Sequence, residues 1–333
     1  MHIRNTIVAA IASLSFAGTG LGQVTFEFTN SGQTLGHSYS TSIALGDLDG
    51  DGDLDAMVAN AGSVTGAQPN TVWTNDGTGT FTVSDQALGT SDSRSVALGD
   101  LDSDGDLDAM FGNDSQPNTV WTNNGNGTFV NSGQTLGTSK SRSVALGDLD
   151  GDGDLDAMIG NCGEPNTVWT NDGSGFFTNA GQALGNSCSS SVGLGDLDGD
   201  GDLDAMVANY MRPSTVWIND GTSTFADSGQ TLGSSYSRAV ALGDLDGDGD
   251  LDAMIGNAGE PNTVWLNDGT GTFTDSGQAL GNSESLSIAL GDLDHDGDLD
   301  AMVGNAGQPN TVWMNTPPPP EKPLDAAKAG ELP

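Results

Sequence analysis

The chain spells nearly the same twelve residues six times. GDLDGDGDLDAM occupies 46–57, and the first aspartate of that loop, Asp47, recurs as Asp100, Asp148, Asp196, Asp244 and Asp292. From Asp100 onward the spacing is 48 residues, while the first interval is 53 and contains the insertion SVTGA (Ser63 to Ala67). A fixed period of about 40 to 50 residues restricts the fold to arrays in which one small unit stacks on its neighbours, because no single unit can bury its own apolar face. The six copies are therefore read as one domain.

One unit, Ser93 to Gly137, shows what is repeated. It holds four short runs, Ser95 to Leu98, Leu107 to Gly112, Thr119 to Thr122 and Thr128 to Val130, the last extendable to Leu136, each bounded by Gly, Asn, Asp or Pro. None is long enough for a helix, and the link NNGNG between the last two asks for positive φ, as a tight hairpin does. Four short antiparallel strands per unit of this length describe a β-propeller blade. The ends fit the same scheme. VTFEFTNSGQTLG (Val24 to Gly36) matches only the fourth run of a unit (compare GTFTDSGQALG, 271–281), and the last unit stops after its third run at Asn315. The expected fold is all-β: a six-bladed propeller of four-stranded antiparallel blades, closed by pairing the N-terminal strand with the last blade. Closure of this kind removes exposed sheet edges.

Outside the array, MHIRNTIVAAIASLSFAGTGLG places Arg4 before an apolar stretch, with small residues near a cut after Gly22, which is the pattern of a secretory signal peptide. The apolar stretch is shorter than the roughly 20 residues a membrane span needs. The expected organisation is residues 1–22 as signal, 23–316 as propeller, and 317–333, rich in proline and without period, as a flexible tail. Export places the chain outside the cell or on its surface, where the two cysteines, Cys162 and Cys188, can bridge. Eight Lys and Arg against 46 Asp and Glu give a formal charge of -38. Such a field repels nucleic acid and anionic membranes and selects cations.

The aspartates carry the chemistry. Counting Asp47 as position 1, carboxylates stand at positions 1, 3, 5 and 9, a glycine sits at 6 where the chain must turn, and the aspartate at 7 can offer its backbone carbonyl. Six loops repeat this set: Asp47, Asp49, Asp51, Asp53 and Asp55; Asp100, Asp102, Asp104, Asp106 and Asp108; Asp148, Asp150, Asp152, Asp154 and Asp156; Asp196, Asp198, Asp200, Asp202 and Asp204; Asp244, Asp246, Asp248, Asp250 and Asp252; Asp292, Asp294, Asp296, Asp298 and Asp300. Hard oxygen ligands at these spacings suit Ca2+, about six ions in all, and without His or Cys among them zinc fits poorly. An EF-hand would need an acid at position 12 between helices, whereas Val58, Phe111, Ile159, Val207, Ile255 and Val303 occupy it here. The loop is thus a strand-to-strand connection that ends at its ninth residue. Position 4 is Gly in four copies and Ser103 or His295 in the others.

SVALGDLDSDGDLDAMFGN followed by NTVWTNNGNGTF resembles the FG-GAP repeat in its bacterial VCBS-like form, related to the propeller of integrin α subunits. The resemblance covers nearly all of the chain after the leader. It implies a propeller with Ca2+ in the hairpin between the first two strands of a blade and, as in integrins, ligand binding on the opposite face. The chain departs in having six units against the integrin seven and in lacking a literal Phe-Gly/Gly-Ala-Pro signature.

One Trp per unit (Trp73, Trp121, Trp169, Trp217, Trp265, Trp313) and one Phe in the fourth run (Phe28, Phe81, Phe129, Phe177, Phe225, Phe273) suit packing between blades better than sugar stacking. Catalysis finds little support. His2, His37 and His295 fall in the leader, a loop and an aspartate loop, and no nucleophile has a base beside it by any motif. Copies differ where the second run leaves for the third and the fourth for the first: Ala61, Asp114, Cys162, Tyr210, Ala258 and Ala306 align, as do Tyr39, Asp92, Cys188, Tyr236 and Glu284. With the SVTGA insertion and NYMRPS (Asn209 to Ser214), these set apart the face away from the aspartate loops, either as exposed loops free to drift or as a binding surface. The expected function is that of a secreted, calcium-stabilised, non-enzymatic binding or adhesion module for an extracellular protein or glycan, without nucleic acid or membrane insertion. A lectin is the first alternative, a propeller-based hydrolase or lyase the second.

Overall fold

Every repeat folds as its own antiparallel sheet. The computed structural model describes residues 6–7, 31–62, 68–233 and 236–316. A two-residue strand, β1 (Thr6–Ile7), lies within the expected leader and runs parallel to the first strand of the first blade. That blade comprises β2 (Ser40–Gly46), β3 (Asp55–Asn60), β4 (Thr71–Asn75) and β5 (Phe81–Val83), and the second β6 (Ser93–Gly99), β7 (Asp108–Asn113), β8 (Thr119–Asn123) and β9 (Phe129–Asn131). The third holds β10 (Ser141–Gly147), β11 (Asp156–Asn161), β12 (Thr167–Asn171) and β13 (Phe177–Asn179). The fourth holds β14 (Cys188–Gly195), β15 (Asp204–Tyr210), β16 (Ser214–Asn219) and β17 (Phe225–Leu232). The fifth holds β18 (Ser237–Gly243), β19 (Asp252–Asn257), β20 (Asn262–Asn267) and β21 (Phe273–Leu280), and the sixth β22 (Ser285–Gly291), β23 (Asp300–Asn305) and β24 (Thr311–Trp313). Within each sheet consecutive strands are neighbours. This is an all-β, six-bladed propeller, and among the described residues no helix is long and apolar enough to cross a membrane.

The first strand of each blade lies innermost, beside the first strands of its neighbours, around a central channel lined by residues such as Ala97, Leu98, Val144, Leu146 and Val192. The second strand, DAMxxN, is buried along its whole length in the first three blades and the fifth, which is why it reads as a continuous apolar run rather than an alternation. Core clusters straddle adjacent blades. Leu48, Met57, Val72 and Leu88 of the first blade meet Ala109, Phe111, Phe129 and Trp121 of the second, and the pattern recurs through the next three interfaces. Trp121, Trp169, Trp217 and Trp265, with Phe129, Phe177, Phe225 and Phe273, thus serve inter-blade packing. At Gly99 the chain passes close to the next blade, where an added Cβ would displace the Leu155 side chain.

Repeating hydrogen bonds sew the interfaces. Asn123 Nδ2 donates to Leu48 O of the preceding blade at 2.8 Å, and Asn171, Asn219, Asn267 and Asn315 do likewise. In the other direction Gln86 clasps the next hairpin, donating to Gly127 O and accepting from Phe129 N, as Gln134, Gln182 and Gln230 do in later blades.

The seam between the sixth and first blades differs. The sixth sheet has three strands among the described residues. Met302 and Val312 are 38% and 51% exposed, while their counterparts Met57 and Val72 are fully buried. The expected fourth strand, Val24 to Gly36, falls outside the described residues up to Asn30. Its described end behaves as the end of a fourth strand does elsewhere. Gln33 donates to Gly79 O at 2.7 Å and accepts from Phe81 N, repeating the clasp of Gln86, and a Cβ on Gly36 would touch Trp73 as one on Gly89 would touch Trp121.

Candidate metal centres

Each aspartate loop joins the first and second strands of its blade, with Gly46 paired to Asp55 across the hairpin and the same register in the other five. The chain turns through two residues of positive φ. Position 6 is always glycine (Gly52, φ 92°), and position 4 is left-handed in every copy, including Ser103 at 60° and His295 at 64°. Positive φ explains the prevalence of Gly at position 4, and His295 takes the same turn position.

Position 1 braces the loop from within: Asp47 Oδ1 accepts from Gly50 N at 2.8 Å and Oδ2 from Gly52 N at 3.0 Å. Position 9 does something the spacing did not disclose. Asp55 is fully buried, its Oδ2 accepts from Leu48 N and its Oδ1 from Asn75 N, so it ties the loop to the third strand. Asp108, Asp156, Asp204, Asp252 and Asp300 make the same pair of bonds. Because the Leu carbonyl of the same loop accepts from the next blade's Asn in the later interfaces, the loop is also part of the inter-blade seam.

The structure brings together positions 1, 3 and 9. Carboxylate oxygens of Asp47, Asp49 and Asp55 lie within 4.8 Å of one another, as do those of Asp100, Asp102 and Asp108, of Asp148, Asp150 and Asp156, and of Asp196, Asp198 and Asp204. In the fifth blade the group is Asp244, Asp246 and Asp248. Position 5 is exposed and takes the amide of position 7, as Asp51 Oδ1 does from Asp53 N. The position 7 carboxylates point away: Asp53 lies over Gly77 of the third-to-fourth strand hairpin, and Asp106, Asp154, Asp202 and Asp250 lie over the equivalent glycines.

One atom in these groups stands out. The Oδ1 atoms of Asp49, Asp102, Asp150 and Asp198 are buried without a hydrogen-bond partner. Burial first, and then neighbouring carboxylates, hold these four groups above the usual carboxylate range. A buried carboxylate oxygen left without a partner beside two other carboxylates is costly unless a cation joins it. The donor set of clustered carboxylate oxygens suits a hard metal ion.

Burial also raises Asp108, Asp156 and Asp204 to about 6, against an ordinary value of 3.8, even though two backbone amides favour the charged form of each. In metal-stripped protein the fold therefore binds more protons than the unfolded chain between those values. The resulting stability is fully present below about 3.8 and lost as pH rises through about 6. Metal-stripped protein in chelator-treated buffer is expected to melt at a higher temperature at pH 5 than at pH 7.5, and metal-loaded protein to lose this trend because ion and proton compete for the same oxygens. Melting curves at the two pH values check it.

The two cysteines meet on the opposite face. Cys162 follows β11, Cys188 opens β14, and the two are joined by a disulfide. Protein purified without reductant is expected to show no titratable thiol when denatured and to yield one linked peptide carrying both cysteines in a non-reducing digest.

Comparison with known proteins agrees with the architecture. The family model described as FG-GAP-like repeat matches residues 47–111, 100–159, 148–207, 196–255 and 244–303, well over half of the chain. No curated protein matches. Among solved structures, BBS1N in complex with ARL6DN, soaked with lead, aligns at a TM-score of 0.58 with 10% identity over 81% of this chain and 78% of that one. The computationally designed Ika8 protein aligns at 0.51 with 15% identity over 82% and 83%. At these identities the likeness is one of fold.

Proposed function

The chain belongs to the FG-GAP-like repeat family, and from that premise we propose that it is a secreted or cell-surface calcium-binding propeller, its ions structural, whose loop-bearing face is stiffened by Ca2+ and whose opposite face binds an extracellular protein or glycan. FG-GAP propellers are often binding modules, and this reading assigns the chain no catalytic step.

The observation that carries the calcium reading is the orphaned position 3 oxygen, buried beside the position 1 and position 9 carboxylates in four successive blades. Positions 1, 3 and 9 would hold the ion by their side chains, with position 5 and the position 7 carbonyl completing the shell, and the ion would neutralise carboxylates that otherwise repel one another. The protein's own part is to keep position 1 rigid through its loop amides and position 9 fixed through the Leu and Asn amides.

Calorimetric titration of stripped protein is expected to show about six Ca2+ equivalents with weaker uptake of Mg2+, which demands a tighter octahedral shell. No calcium uptake would sink the reading. For the opposite face, a glycan array and an extracellular protein display, both probed with calcium-loaded protein, separate a lectin from a protein binder. Binding that survives loss of the variable loops on that face would contradict the assignment.

A further inference from the structure

The strands that line the channel share an irregularity at the end away from the aspartate loops. In each, the pairing register slips by one residue: between Ser40 and Ser42, Ser93 and Ser95, Ser141 and Ser143, Ser189 and Ser191, Ser237 and Ala239, and Ser285 and Ser287. The extra residue of a β-bulge is left out of the ladder and its side chain re-aimed. Here the six extra residues are Thr41, Arg94, Arg142, Ser190, Arg238 and Leu286, and all six line one cavity of about 340 Å³ at the channel mouth. Serine flanks the bulge on nearly every side, yet the bulged position itself differs between copies, and three of the six are arginine.

The charge at this mouth runs against the rest of the molecule. The chain carries -38 overall with only eight Lys and Arg, and the propeller's share, Arg94, Lys140, Arg142, Arg212 and Arg238, all falls in or beside the links of this one face. The guanidiniums already engage carboxylates. Arg94 pairs with Asp92 at 2.8 Å and approaches Asp114 at 3.6 Å, and Arg142 pairs with Asp114 at 3.0 Å. Three guanidiniums thus converge on one cavity, and Arg94 Nε is buried with no hydrogen-bond partner. Arg238 Cζ sits over the Tyr210 ring, 4.0 Å from its centre, and Tyr210 packs edge-on against Tyr236 at 5.2 Å, so the guanidinium is held in place by a ring that is itself packed. Pre-oriented guanidiniums are what bidentate recognition of a carboxylate requires.

We propose that the channel mouth binds the carboxylate of an acidic sugar residue, with Arg94, Arg142 and Arg238 as its charge partners. This rests on the reading that this face is the ligand face. The cavity is at the small end for a ligand site, which suits one sugar unit or the end of a glycan. Ser190 and Tyr210 on the remaining arc supply hydroxyls for the ring.

The test is calorimetric titration of calcium-loaded full chain with galacturonate, with galactose, and with acetyl-triglycine as a carboxylate that is not a sugar. Galacturonate is expected to bind at least about tenfold tighter than galactose, the equivalent of one charge-assisted hydrogen bond. Raising NaCl from about 50 to about 500 mM is expected to weaken it, since exposed charge is screened. Arg142→Gln should lose about tenfold. Ser190→Glu, which adds a carboxylate at the same level without removing any ion pair, should abolish binding and leave the melting temperature in calcium unchanged. Equal binding of galacturonate and galactose, no binding of either, or indifference to Ser190→Glu overturns the proposal. Acetyl-triglycine binding tighter than galacturonate overturns the sugar assignment. Melting curves with and without calcium on the same samples keep the two readings apart: an intact calcium shift without galacturonate binding defeats this inference alone.

Discussion

Chelating the Ca2+ proposed for the aspartate loops is expected to lower the melting temperature by more than about 10 °C. With Ca2+ at about 1 mM and a site Kd of about 0.1 mM, as extracellular modules show, each site contributes roughly 1.4 kcal/mol and six contribute roughly 8. That is comparable with the whole stability of an ordinary domain. The structure gives a reason for the effect to spread beyond the loops. Leu48 N is held by Asp55 and Leu48 O by Asn123 of the next blade, so a loop that opens releases an inter-blade bond as well. Differential scanning calorimetry in EGTA and in calcium checks the claim, and superimposable curves would refute it.

The second large effect belongs to the seam. Between the fifth and sixth blades lies a cavity of about 320 Å³ lined by Leu245, Leu266, Leu280, Trp313 and Met314, with Gln278 at its edge. At the first four interfaces the corresponding place is taken by a phenylalanine of the fourth strand, Phe129, Phe177, Phe225 or Phe273, packed on the loop leucine of the preceding blade. Phe28 stands five residues before Gln33, as Phe129 does before Gln134, which is the spacing that would put it in this cavity under the clasp of Gln278. Deleting Val24 to Gly36 is therefore expected to destabilise the protein or make it aggregate through the free edge of β24, whereas deleting Pro317 to Pro333 should change little. Phe28→Ala in the otherwise intact chain should cost about 3 kcal/mol, the usual range for emptying a core aromatic site. Denaturant unfolding of the three variants decides, and equal tolerance of both deletions would end the scheme.

The blade and the aspartate loop were legible in the sequence because each is written locally. Short runs separated by Asn-Gly chemistry give the strands, and alternate aspartates give a cluster whatever surrounds them. The role of the ninth aspartate was not legible, because its two hydrogen bonds depend on where the third strand lies, and Asn75 and Leu48 are far apart in the chain. Nor were the bulges. SRSVALG and STSIALG carry no mark of an irregularity, and only pairing against the neighbouring strand shows that Arg94 and Thr41 are the extra residues. The first run of the unit, read as Ser95 to Leu98, falls two residues short of the start of β6 at Ser93 for the same reason.

The bulge separates two properties that most folds entangle. The pairing of the first two strands and the register of the aspartate loop between them are the same whether the extra residue is Thr, Arg, Ser or Leu. The channel rim is thus a set of independently variable positions on an invariant frame. Duplication of a blade, followed by one substitution at its bulge, changes the chemistry of the rim by a single increment and leaves the frame's stability almost untouched. A lineage built this way can explore ligands combinatorially, one blade at a time, without passing through unfolded intermediates in its history.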